Sequence, residues 1–179
     1  MSATPETVAA RKQLVAGIAK AIRSTGEEFQ DLAATTGINV AEFTQLSRER
    51  VDRYALDRLV EYCEVFGLRV TMSIHGQIEP LSERDDAFRV RAKARSAAAE
   101  HTERARLRRE LIKAIANNIK ASPLKQVALA EELQLSRAVV SNLQNEHADG
   151  FKLDKLVELA PKFGLSIEMS AGPASFNVR

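Results

Sequence analysis

The chain of 179 residues has one cysteine, no tryptophan, few glycines and prolines (8 and 5), and aromatic residues at only 5%. With Cys63 alone, neither an intramolecular disulfide nor a cysteine-based zinc site can form. The histidines, His75, His101 and His147, are far apart in sequence and lack ligand spacing, so no metal site is expected. No run nears the roughly 18 apolar residues of a membrane helix. The N-terminal stretch from Met1 to Glu6 has no basic region leading into an apolar core, so no signal peptide is expected. Charge of one sign is scarce too. Lys and Arg number 26 against 24 Asp and Glu, a net of +2, which excludes a polybasic arm as the whole basis of binding. No glycine-rich phosphate loop or nucleophile elbow occurs. Adjacent carboxylates such as Glu27-Glu28, Asp85-Asp86 and Glu131-Glu132 do not share a helical face. Neither an enzyme nor a cofactor is expected.

What is there is an internal repeat. Residues 14–73 align with 111–170 at a constant offset of 97 without a gap. Identical residues fill about a third of the aligned positions, where chance gives about one in twenty. They include Leu14/Leu111, Ile18/Ile115, Ile22/Ile119, Leu32/Leu129, Ala33/Ala130, Leu46/Leu143, Glu49/Glu146 and Leu56/Leu153. Phe66-Gly67-Leu68 matches Phe163-Gly164-Leu165, and Met72-Ser73 matches Met169-Ser170. Most are apolar, so the repeat is mainly a repeated core.

Each copy opens with a helix whose apolar residues recur four apart, Leu14, Ile18 and Ile22 in one, Leu111, Ile115 and Ile119 in the other. Thr4 and Pro5 suit the cap and first position of the first helix. Second helices are expected over about 27–36 and 124–133, third helices over about 40–48 and 137–145 behind caps Asn39 and Ser136, and fourth helices over about 56–66 and 153–163. Gly67 and Gly164 end the fourth helices, and Pro161 predicts a kink or early end in the last. The period then drops to two. Leu68, Val70, Met72 and Ile74 alternate with polar residues, as do Leu165, Ile167 and Met169. A short strand cannot stand alone, so the two are expected to pair, antiparallel across a pseudo-twofold, with parallel pairing open. The expected domains are 1–74 and 104–171, with a helical linker at 75–103 and a flexible tail at 172–179. In the linker Ser82 and Asp85 resemble a capping box. Thr102 either caps a new helix or lies in a continuous one.

Gly37-Ile38-Asn39 and Gln134-Leu135-Ser136 join the second and third helices, a spacing that fits a helix-turn-helix. The stretch from Leu124 to Leu143 resembles the Cro/cI-type (XRE) helix-turn-helix. Phe151, Leu153, Asp154, Leu156 and Val157, followed by Phe163-Gly164-Leu165 and Ile167, resemble its HigA-like antitoxin branch. Copy one repeats the latter pattern from Tyr54 to Val70. The resemblance covers about two thirds of the chain. It implies a mainly all-α chain of two lambda-repressor-like domains, each ending in a short strand, that acts as a sequence-specific regulator, commonly a repressor of its own promoter. It implies a cytoplasmic, nucleoid-associated protein of bacterial or phage origin. Copy one departs from the pattern, with Phe29 where copy two has Gln126 and acidic Glu27, Glu28 and Asp31 about helix two. Copy two has Gln134 where the family's turn usually has glycine.

A recognition helix places its N-terminal side chains on base edges in the major groove. The expected DNA-facing residues are Ser136, Arg137, Ala138, Ser141, Asn142 and Asn145 in copy two, and Asn39, Val40, Ala41, Thr44, Gln45 and Arg48 in copy one. Arg137 suits guanine, while Asn142 and Gln45 suit adenine. Lys125 and Gln126 would meet phosphate. Val139, Val140, Leu143, Phe43 and Leu46 are expected to face the core. The partner is double-stranded DNA, read as two unequal half-sites roughly 34 Å apart. The alternative is a protein-binding module such as an antitoxin, gripping a toxin, another regulator or a second copy of the chain, with 1–13 and 171–179 as candidate segments. Charge divides unevenly. Residues 14–73 carry a net −2 and 111–170 a net of zero, whereas 74–110 carry +2, with Arg89, Arg91, Lys93, Arg95, Arg104, Arg106, Arg108 and Arg109. That surplus suits either a solvated helix face or a spacer touching phosphates.

Overall fold

The computed structural model describes residues 4–76, 102–147 and 150–173. It is mainly helical, with two short strands. In copy one, α1 (Pro5–Thr25) starts behind Thr4, whose hydroxyl accepts the Thr7 amide, with Pro5 in the first turn where its missing N–H costs nothing. Leu14, Ile18 and Ile22 are buried along its inner face. Then come α2 (Phe29–Thr36), α3 (Val40–Ser47) and α4 (Leu56–Val65). Helix α1 packs on α3 and α4, and α2 packs on α3. Copy two repeats the order with α5 (Glu103–Ala121), α6 (Gln126–Glu132), α7 (Arg137–Gln144) and α8 (Leu153–Leu159). There α5 packs on α7 and α8, and α6 packs on α7.

Several boundaries differ from the expected ones. Helix α2 begins two residues late, because Glu28 is extended (φ −71°, ψ 149°), and α6 begins at Gln126 because Lys125 is extended in the same way (φ −65°, ψ 152°). Thr102 caps α5 from an extended conformation (φ −84°, ψ 142°), which breaks any continuous helix at that point. Helix α8 stops at Leu159 and a tight turn of 3₁₀ helix, Ala160–Phe163, carries Pro161, as a residue without an N–H demands. The expected linker helix between Ser82 and Ala99, its cations Arg89, Arg91, Lys93 and Arg95, His101, and the tail from 174 lie outside the described residues.

The strands β1 (Leu68–His75) and β2 (Ser166–Pro173) form one antiparallel ribbon. Strand β2 runs on to Pro173, so Gly172 and Pro173 are strand and not the start of a flexible tail. Val70, Ile167 and Met169 turn inward and their neighbours outward, as a period of two requires. The ribbon changes which residues form a body. One compact unit is built from residues within Met1–Ser73 and Ile167–Arg179, the other from residues within Ile74–Ser166. Each unit therefore takes its closing strand segment from the far copy. In the first unit, Gly17 of α1 admits β2. A Cβ at Gly17 would lie 2.7 Å from the Ala171 Cβ and 2.9 Å from its carbonyl oxygen. In the second unit, a Cβ at Gly76 would lie 2.6 Å from the Gly164 carbonyl oxygen.

Candidate nucleic-acid interface

In copy two the turn between α6 and α7 is closed by the Leu135 amide, which donates to the Ala130 carbonyl over 2.8 Å. Gln134 lies in the left-handed region at φ 53°, the conformation that Gly37 supplies in copy one at φ 72°. A non-glycine residue there is strained. The Lys162 ammonium donates to the Leu133 carbonyl at 2.7 Å and holds the end of α6 from the opposite side. Ser136 caps α7 by accepting the Val139 amide. Its oxygen serves the helix, and its hydroxyl hydrogen is what it can offer a ligand.

The faces of α7 then separate. Val140 and Leu143 are fully buried, whereas Val139, expected in the core, is only half-buried. Arg137, Ala138, Asn142 and Asn145 are exposed, and Ser141 is half-buried. Asn145 donates to the Ser141 hydroxyl at 3.4 Å, so these two expected contacts partly satisfy each other. Lys125 is the exposed N-cap residue of α6 and makes no side-chain cap bond. The Gln126 side-chain amide donates to the Gln144 side-chain oxygen, tying the first residue of α6 to the last of α7. Its second amide hydrogen can still donate to a phosphate. Gln144 was not singled out by sequence.

Copy one builds the same frame with different chemistry. Asn39 caps α3 by accepting the Ala41 amide at 2.9 Å. Phe43 and Leu46 are fully buried. Phe29, in the place of Gln126, is half-buried and stacks on Phe43 (ring centroids 5.9 Å apart), which meets Phe66 edge-on at 6.0 Å. A polar clasp is thereby replaced by aromatic packing. Of the expected outward residues, Asn39, Val40, Ala41 and Arg48 are exposed, while Thr44 and Gln45 are half-buried. The Thr44 hydroxyl is engaged with the Val40 carbonyl at 3.2 Å.

On α3 and α4 copy one holds a polar cluster absent from the sequence reading. The Arg58 Nε donates to the Tyr62 hydroxyl at 3.1 Å, and its guanidinium also meets Glu61 at 3.0 Å and lies 4.7 Å from the Tyr62 ring centroid. Burial, then a hydrogen bond to Glu42 of α3, pushes the Tyr62 phenol up to about 12. Tyr54, edge-on to Tyr62 at 5.9 Å, is also raised, first by burial and then by Glu42. In copy two the ion pair is kept as Lys155 with Glu158 at 3.4 Å, while Val139, Leu159 and Phe151, in the places of Glu42, Tyr62 and Tyr54, are apolar.

A second feature the sequence reading missed is present in both copies. Glu49 and Glu146, just past α3 and α7, both have positive φ (54° and 58°). Each is joined to the last turns of the copy's first helix, Arg23 to Glu49 at 3.6 Å and Lys120 to Glu146 at 3.3 Å. Their identity at an exposed position was the signal. The pairs are exposed and each is worth about 0–1 kcal/mol. At the start of α5, Arg106 is clasped by Glu103 and Glu110, both at 2.6 Å, and Arg104, Arg108 and Arg109 also have partners. Of the cations expected there, Arg106 is thus committed to carboxylates inside the protein.

Among the described residues no group of three or more His, Cys, Asp or Glu side chains could hold a metal, and no helix is long and apolar enough to cross a membrane. Cys63 is buried. A family model described as a helix-turn-helix domain matches the chain twice, over residues 1–75 and 83–172. No curated protein and no solved structure matches it.

Proposed function

The chain belongs to the helix-turn-helix domain family, and from that premise we propose that it is a sequence-specific DNA-binding regulator of transcription whose two copies read one operator as a single-chain pseudo-dimer. We place it with the Cro/cI-type regulators, in the HigA-like branch, as a repressor of its own promoter. The observation that carries this reading is the match between the outer faces of α3 and α7. Over equally buried inner residues, Thr44 and Gln45 stand where Ser141 and Asn142 stand.

In this reading α7 lies in a major groove. Arg137 donates in bidentate fashion to O6 and N7 of guanine, and Asn142 pairs with N6 and N7 of adenine. Ser136, Ala138, Ser141 and Asn145 line the same face. Lys125 and the free amide hydrogen of Gln126 hold backbone phosphates and set the register. Helix α3 presents Asn39, Val40, Thr44, Gln45 and Arg48 to a second half-site. With copies of net charge −2 and zero, few counterions are released, so affinity falls only gently with salt.

A second reading gives copy one a protein partner, because Glu27, Glu28 and Asp31 are exposed about the start of α2, where phosphate would approach. Footprinting on DNA upstream of the gene separates the two. Protection of two neighbouring sites is the expected result. Protection of one site alone would assign copy one to a protein, and no protection would overturn the regulator reading.

A further inference from the structure

The constant offset sets the two recognition helices against each other residue by residue. Ala41 matches Ala138, Thr44 resembles Ser141, and Gln45 resembles Asn142. The cap (Asn39 against Ser136) and Arg48 against Asn145 differ, but each of these is polar or charged in both copies. The first helical position breaks the agreement most sharply, with Val40 in α3 and Arg137 in α7. Both positions lie in the first turn, the part of a recognition helix that meets base edges. Neither side chain is used by the core. Val40 is 39% exposed, Arg137 is exposed, and among the described residues no hydrogen bond or ion pair holds the Arg137 guanidinium.

Their chemistries call for different bases. A guanidinium fork matches the paired acceptors of guanine, whereas an isopropyl group has neither donor nor acceptor and the apolar feature of the major groove is the thymine methyl. Resting on the DNA-reading function above, we propose that the operator is asymmetric at the register position this first residue faces, with guanine facing Arg137 and thymine facing Val40. Gln45 and Asn142 ask for adenine in both half-sites, so the neighbouring position serves as an internal control.

The experiment is selection from a random-sequence duplex library by the full-length wild type, V40R and R137V, with helical content checked by circular dichroism. Wild type is expected to enrich a bipartite site with guanine in one half and thymine at the equivalent place in the other. V40R should turn that thymine to guanine and R137V the guanine to thymine, each with a preference of about tenfold or more. Should V40R lose helical content, V40A replaces it and should lose the thymine preference. An enriched motif whose bases ignore these substitutions would overturn the proposal and leave the DNA reading standing. A shift with R137V alone would overturn the Val40 assignment. No enrichment by wild type would overturn both.

Discussion

Copy one and copy two share a backbone plan and differ in what fills it. Where copy two ties α6 to α7 with a glutamine pair, copy one stacks Phe29 on Phe43. Where copy two has Val139 and Leu159, copy one has Glu42 and Tyr62, joined by a hydrogen bond, with Arg58 donating to the Tyr62 hydroxyl. The repeated residues are chiefly those that fix helix contacts, and the divergent ones lie around the outer faces of α3 and α7 and their supports. A duplicated scaffold thus tolerates large chemical change so long as Leu46 and Leu143, or Leu56 and Leu153, stay buried.

The sharpest way to break this comparison is in the cores. F43A removes a ring that contacts two others and should cost about 3–5 kcal/mol, while V140A at the equivalent place should cost about 2 kcal/mol, both read from chemical denaturation. Closer values would mean the aromatic stack adds little. On the reading face, R137A should weaken specific binding by about 1–3 kcal/mol and relax preference at one base, in a titration against specific and random duplexes. An equal loss on random DNA would make Arg137 a phosphate contact. In the first unit, G17A should destabilise by about 1–3 kcal/mol, because the new methyl group collides with Ala171. A gain in stability, as alanine gives in a freely exposed helix, would show that β2 does not press on α1.

The comparison also has a pH signature. Both tyrosines of the chain belong to copy one. The Tyr62 phenol is raised from 10.0 to about 12, so the folded state favours its protonated form. The stability it contributes is complete below about pH 10 and is lost as pH climbs towards 12. Tyrosinate absorbance should rise late in the native protein, and Y62F should shrink the alkaline loss of stability. An alkaline limb unchanged in Y62F would place its source elsewhere. The smallest effect is expected at Lys125, where K125A should lower the salt slope of binding by about one and leave base preference intact.

Much of the fold could be read from local rules, because caps, glycine stops and apolar periods are local. Thr4, Asn39, Thr102 and Ser136 cap helices, and Gly67 and Gly164 take the positive φ expected of them. The strand alternation gave each buried face, and its partner followed only from the need of a lone strand for a neighbour. Alternation carries no address, so the exchange of closing strand segments between the units was not legible; its trace was the small Gly17 opposite Ala171. Gln134 shows the limit of residue preference, since the buried turn residue Ile38 and the half-buried Leu135 anchor the same bend and override the penalty of positive φ. Among the site residues, exposure of Arg137 and Asn142 followed from the helical period. The engagement of Gln126 with Gln144, and of Arg106 with two carboxylates, depends on side chains reaching across turns and helices, which a period does not encode.

In the proposed function two unequal readers occupy one operator. Hydroxyl-radical footprinting on the selected operator with wild type, R137A and Q45A decides it. Wild type should protect two half-sites, R137A should lose protection mainly in one, and Q45A mainly in the other. Loss in the same half-site for both variants, or an unchanged footprint with Q45A, would contradict it.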